Sequence, residues 1–249
     1  MTALTLTFVA LILMLAGLVK GVTAMGLPTL GMGLLSLLMP PAEAAAILIA
    51  PTLLTNIVQF STGPRVWPVL RRFWPMGLAT FAGTLAGGAW LGGLGSHLAP
   101  AVLGGTLFAY GLLGLGRFGF HTPAAREPWL SPLMGLASGL LTGTTGVTVM
   151  PAAPYLQSLG LEREDLVQAM GLSFSMGSFG LIAALSTRDA PLTSWHALLV
   201  TLAALVPAFA GMEIGRRVRL AISQQAFRNC FFAGLALLGA NTLVRALPL

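Results

Sequence analysis

The chain has 249 residues, 56% of them hydrophobic and only 8% charged, with a formal net charge of +6. Soluble domains carry about 25% charged residues, and a mean hydropathy of +0.87 leaves almost no room for a water-facing domain. The basic excess does not point to nucleic acid either, because the arginines stand in short loops between apolar stretches, as positive-inside loops do.

A membrane-crossing helix takes roughly 20 mostly apolar residues, so the chain holds about eight to ten apolar segments with short loops. Residues 1–17 have no basic n-region and no small-residue cleavage site, and are read as a retained first segment rather than a signal peptide. Apolar stretches are expected near 3–19, 24–39, 43–62, 73–94 and 98–116. A polar linker with Pro123 and Pro128 follows, and five more stretches lie near 130–142, 146–159, 166–186, 193–215 and 224–244. The expected organisation is a first transmembrane repeat over 1–118, a linker over 119–129 and a second repeat over 130–249.

The two sets of five share sequence. Gly17-Leu-Val-Lys20-Gly21 matches Gly139-Leu-Leu-Thr142-Gly143, at the same offset that carries Asn56 onto Ser178. Further on, Trp67 matches Trp195, and Phe81-Ala82-Gly83 with Gly87 matches Phe209-Ala210-Gly211 with Gly215. Ordered matches of this kind mark an internal repeat. If each half makes an odd number of crossings, Arg65, Arg71, Arg72, Arg117, Arg126, Arg163, Arg216, Arg217, Arg219 and Arg228 fall on one side, against Arg188 and Arg245. The positive-inside rule then favours an all-α polytopic membrane protein of two inverted-topology repeats, with both termini outside the cytoplasm. The first pair of segments in each half is expected to be broken or re-entrant.

The broken stretches, Gly17 to Pro41 and Gly139 to Pro154, are dense in Gly, Thr and Pro. Non-helical backbone survives in a bilayer only inside protein or along a wet cavity. Half-helix N-termini there would present N–H groups and positive dipole ends, which suit an anion at mid-depth. Lys20, the one lysine, can compensate an anion's charge or snorkel to an interface. The hydroxyls of Thr142, Thr144, Thr145 and Thr148 can contact an oxyanion or bond back to their own helix. Asn56, Gln59, Ser173, Ser175 and Ser178 can line a path or join helices. The candidate substrate-binding set is Lys20, Gly21, Thr23, Gly26 and Asn56, with Thr142, Gly143, Thr144, Thr145, Gly146 and Ser175 in the second half. Glu213 is a candidate for proton coupling, although Arg216 and Arg217 stand at ordinary pairing distance along a helix. Glu43 after Pro40-Pro41 reads as a first-turn acid.

At these residues the chain resembles the sulfite exporter TauE/SafE family of bacterial membrane transporters. The resemblance rests on Gly17-x-x-Lys20-Gly21 to Gly26 and Pro28, the Pro40/Pro41 turn before Asn56, and Gly139 to Gly143, Gly146 and Pro151 through Tyr155-Leu156 to Leu159-Gly160-Leu161. The second half has Val149-Met150 before Pro151 where many members carry a glycine. The resemblance implies export of sulfite or an organosulfonate through a bacterial inner membrane, with uptake of a related sulfur or carboxylate anion as the alternative. The expected partners are that small anion and the lipid bilayer, with a homodimer allowed and neither nucleic acid nor cofactor nor metal. A passive anion channel fits the same glycine-rich repeats. An enzyme is disfavoured, since His97, His121 and His196 stand near segment ends and Cys230 is alone. No Walker A pattern is present.

Overall fold

Apolar runs of membrane length with no charge in mid-segment have one stable option in lipid, a helix that satisfies its own backbone. The computed structural model describes residues 3–90, 92–116, 121–186, 201–219 and 221–246. Their α-helices are α1 (Ala3–Thr23), α2 (Leu27–Leu35), α3 (Pro41–Ser61), α4 (Val66–Trp90), α5 (Ala99–Leu115), α6 (Glu127–Thr145), α7 (Ala152–Ser158), α8 (Arg163–Ser186), α9 (Leu205–Val218) and α10 (Gln224–Ala246). Among the described residues there is no β-strand. Arg117, Arg188, Trp195 and His196 lie outside the described residues, so the Trp67/Trp195 match has only its first member here.

Four helices are individually long and apolar enough to cross a membrane, namely α1, α3, α8 and α10. Their surfaces are inverted relative to a water-soluble protein. Leu4, Phe8, Leu11 and Leu15 of α1 face outward, whereas Thr80, Thr84, Asn56 and Ser138 are fully buried. Trp67, Trp90 and Trp129 are exposed near helix ends, where amphipathic rings sit at a membrane interface, and Trp74 is exposed two turns into α4. Glu43 lies in the first turn of α3.

The chain forms two compact units. The first comprises residues 1–51, 97–118 and 191–249, and the second residues 52–96 and 119–190. Each therefore takes helices from both halves of the sequence, and α3 contributes to both.

In the first unit α1 and α9 run parallel at backbone contact. A Cβ at Gly17 or Gly21 would collide with the carbonyl of Ala208 or Met212, and one at Gly211 or Gly215 with that of Met14 or Leu18. Small residues at a membrane helix crossing allow this approach, and dispersion and Cα–H···O contacts supply the adhesion that lipid, as apolar as leucine, does not. Helix α5 packs antiparallel on α10 in the same manner, Gly104 against Gly239 and Leu243 and Gly111 against Ala236. Helix α2 lies along α10, with Gly26 over Phe231 and Gly33 over Leu238.

The second unit repeats the device. Gly135, Gly139 and Gly143 of α6 meet the backbone of α4 at Met76, Thr80 and Thr84, while Gly83 and Gly87 of α4 meet Leu136 and Leu140. Helix α8 runs parallel to α4, with Gly180 against Thr84 and Gly88 against Ala184. With α4, α6 and α8 parallel, Arg65, Arg71, Arg72, Arg126 and Arg163 gather at one end of the unit. There Arg65 pairs with Asp165 at 3.3 Å and Arg72 with Glu127 at 2.6 Å. The second part of α3 runs antiparallel to α8. Gln59 Nε2 donates to Val167 O at 2.8 Å, Gln168 Nε2 donates to Phe60 O at 2.8 Å, and Gly171 fits against Asn56 and Phe60.

The matched glycines of the sequence are thus partners in space, the Gly17/Gly21 pair with Gly211/Gly215 and the Gly139/Gly143 pair with Gly83/Gly87. Replacing Gly139 by Val should lower the stability of the purified protein by about 1–3 kcal/mol through overpacking. Gly234→Ala, where an added Cβ meets nothing, should be neutral or stabilising by up to about 1 kcal/mol. Thermal unfolding in detergent checks both; equal melting temperatures for Gly139→Val and the parent would refute the close crossing.

Candidate functional site

Glycine alone does not break these helices. Gly21 and Gly143 remain helical because each is pressed against a neighbouring backbone, and the helix stops only where a residue turns left-handed. In the first unit that residue is Ala24 (φ 64°), followed by Gly26 (φ 107°). In the second it is Gly146 (φ 73°), whose N–H closes on Thr142 O, a single-bond left-handed cap. Lys20 and the Thr142–Thr145 cluster therefore stand in the last turns of α1 and α6, ahead of the breaks. The breaks themselves are the 24–26 and 146–151 segments.

Both breaks are braced by the same hydroxyl geometry. Thr23 Oγ1 donates to Val19 O at 2.9 Å and to Met25 O at 2.6 Å, and lies 3.3 Å from Met25 N. Thr145 Oγ1 donates to Leu141 O at 2.6 Å and accepts from Val147 N at 3.2 Å. One threonine at each helix end thus satisfies a carbonyl of the preceding turn and an N–H beyond it, groups that hydrocarbon cannot satisfy. Thr142 Oγ1 donates to Ser138 O at 2.7 Å, and Thr144 Oγ1 to Leu141 O at 3.0 Å. The protons of these three hydroxyls are committed to the backbone, which leaves them as acceptors.

After the breaks the chain returns through short helices. Leu27 and Pro28 open α2, and Ala152 opens α7. In the second unit Thr148 lies against Gly177 of α8. Helix α7 then runs back toward the start of α6, where the Tyr155 and Ser131 hydroxyls meet at 2.7 Å and Thr122 N donates to Ser158 O at 2.9 Å. In the first unit the Tyr110 hydroxyl reaches Met25 Sδ at 2.8 Å inside the break.

Lys20, in the first unit, is 3% exposed. It shares that unit with Gly21, Thr23 and Gly26, whereas Asn56, Thr142, Gly143, Thr144, Thr145, Gly146 and Ser175 belong to the second. Ser178 Oγ donates to Phe174 O at 2.9 Å, and Ser173 Oγ lies 3.5 Å from Thr80 Oγ1. Ser175 Oγ is buried with no hydrogen-bond partner among the described residues. Three further hydroxyls share that condition and were not singled out by sequence, Ser36 Oγ, Thr29 Oγ1 and Thr52 Oγ1, of which the last two belong to the more deeply buried residues. Thr29 and Thr52 each directly follow a proline, Pro28 or Pro51. Given the antiparallel run of α3 and α8, Ser175 stands one turn beyond Gly171 and Thr52 one turn before Asn56, on facing helices at neighbouring depth. Glu213 is part-exposed and paired with Arg216 at 2.6 Å and Arg217 at 2.9 Å.

The hydroxyls sort into braces and spare donors, and stability separates them. Thr23→Val and Thr145→Val should each cost about 1 kcal/mol, the worth of a net hydrogen bond. Ser175→Ala and Thr29→Val should leave the melting temperature unchanged or raise it, since each removes a buried group that bonds to nothing. A loss in the second pair as large as in the first would show that both sets hold the fold.

Residues 9–242 match the family described as Sulfite exporter TauE/SafE. Neither the curated proteins nor the solved structures contain a match. With nearly the whole length covered, this chain belongs to the sulfite exporter TauE/SafE family of membrane transporters.

Proposed function

We propose that the protein is a secondary transporter that moves sulfite or an organosulfonate across the bacterial inner membrane, in the export direction, by alternating access of two inverted-topology repeats. The observation that carries this reading is the start of α2. An anion entering a membrane protein needs hydrogen-bond donors and positive potential. Helix α2 begins inside a break, which supplies N–H groups and a positive dipole end. Thr29 in its first turn is fully buried, with a hydroxyl that has no hydrogen-bond partner among the described residues. Lys20 is buried in the last turn of α1, just ahead of the break.

In the second unit Ser175 and Thr52 offer the same resource, protons not committed to carbonyls, beside Asn56. We therefore assign substrate contact first to Lys20, Thr29, Ser175 and Thr52. Thr142, Thr144 and Thr145, with Gly143 and Gly146, shape the second break around the path, as Gly21, Thr23 and Gly26 shape the first. Glu213 keeps its place as the acid through which a proton gradient could couple, provided its two arginine pairs open during transport.

Flux into proteoliposomes, measured for sulfite, methanesulfonate and a small carboxylate with and without a pH gradient, tests this reading. Saturable transport of the sulfur anions is the expected result, and flux that rises linearly with concentration would make the protein a channel. Lys20→Ala should reduce sulfite transport at least tenfold, about 1.4 kcal/mol, without changing the elution volume in size exclusion. Wild-type flux in that variant removes Lys20 from the site. Thr29→Val should raise the apparent KM for sulfite severalfold, the effect of losing one donor to a charged group.

A further inference from the structure

One feature of the second unit lies on its outer face, where α4 and α8 leave an apolar groove of about 440 Å³. Trp67, Arg71, Trp74 and Leu78 follow one another at three- and four-residue intervals on α4 and so line a single face. Leu172 and Met176 of α8 form the opposite wall. The floor is Gly77, where an added Cβ would already stand 3.1 Å from Met176 Cγ, so any larger residue would fill the groove. The outward Trp67, in the first turn of α4, marks the interfacial level, and Trp74 stands two turns deeper.

Arg71 sits between those two rings, and its neighbours explain its importance. Arg65 is paired with Asp165 and Arg72 with Glu127. Arg71, exposed on the groove, has no acid partner among the described residues. An arginine guanidinium is a fork that matches a phosphate, and long side chains on a helix lean toward its N-terminus, here the arginine-rich end. The groove is then an apolar slot with a cation at its polar end.

We propose that this groove is a binding site for an anionic phospholipid, with an acyl chain between α4 and α8 and the headgroup phosphate on Arg71. Charge complementarity selects this occupant. A second copy of the chain would bring its own arginine-rich end to the same level, and a zwitterionic lipid would bring its ammonium group along with its phosphate. The cytoplasmic leaflet carries the anionic lipids, and the one-sided arginines assign this end of the unit to it.

Native mass spectrometry of the purified protein with phosphatidylglycerol, and with phosphatidylcholine of the same acyl chains, tests the assignment. The parent should retain phosphatidylglycerol preferentially. Arg71→Gln should weaken that retention about fivefold, the contribution of one arginine at an anionic surface, and Arg228→Gln, in the other unit, should not. Gly77→Leu should displace lipid of either headgroup while the protein stays monodisperse. Equal retention of the two lipids by the parent, or an unchanged preference in Arg71→Gln, would overturn the proposal. So would a change in oligomeric state with Gly77→Leu, which would make the groove a contact between copies. Retention of glycerol phosphate equal to that of phosphatidylglycerol would overturn it too, in favour of a free-anion site.

Discussion

Backbone-to-backbone contact between helices is the constraint on which everything else in this structure rests. In lipid no hydrophobic gain brings helices together, so adhesion must come from close packing and weak Cα–H···O contacts. Glycines spaced four apart on α1, α4, α6 and α9 make that approach possible, and they make it in two equivalent pairs. Once α1 is fixed on α9 and α6 on α4, the ends of α1 and α6 are held, and the breaks follow from them. The chain can then leave helical geometry at Ala24 and Gly146 because the preceding turn is already anchored. Thr23 and Thr145 satisfy the backbone groups exposed by that departure. The buried cation and the spare hydroxyls occupy what this framework leaves over.

Much of the framework was legible in the sequence because lipid makes the code simple. Several segment limits fell within a few residues of the observed helices, as for 98–116 against Ala99–Leu115 and 166–186 against Arg163–Ser186, whereas α4 begins at Val66 against an expected 73 and α7 at Ala152 against an expected 146. Apolar length is a strong constraint when each backbone group must be satisfied internally. The matched glycine motifs were also visible, but not their meaning. Sequence spacing cannot say whether a glycine ends a helix or lets another helix approach, since the missing Cβ serves both. Gly21 and Gly143 turned out to serve the second purpose.

The two breaks were legible in location, and the bonding of the hydroxyls around them less so. Lys20 and the threonines mark the two break regions correctly, yet which hydroxyls keep a free proton depends on where each carbonyl points. Thr144 and Thr145 have a carbonyl within reach on their own helix. Ser175, of the same chemistry and on a helix, does not use one. Thr29 and Thr52 were overlooked because each is a single threonine in an apolar run, whereas the eye is drawn to clusters. The proline before each, Pro28 in the first turn of α2 and Pro51 inside α3, was the available sign.

The exchanged glycine pairs carry a consequence for the halves of the chain. The first helix of residues 1–118 is completed by a helix near the end of the second half, and the first helix of residues 130–249 by one from the first half. Neither half can close its own backbone crossings, so a half standing alone would leave its glycine faces bare to lipid. The linker between them is then less a hinge than a tether. It joins two mutually dependent pieces into a permanent, covalent dimer of half-proteins, and makes their stoichiometry a property of the gene.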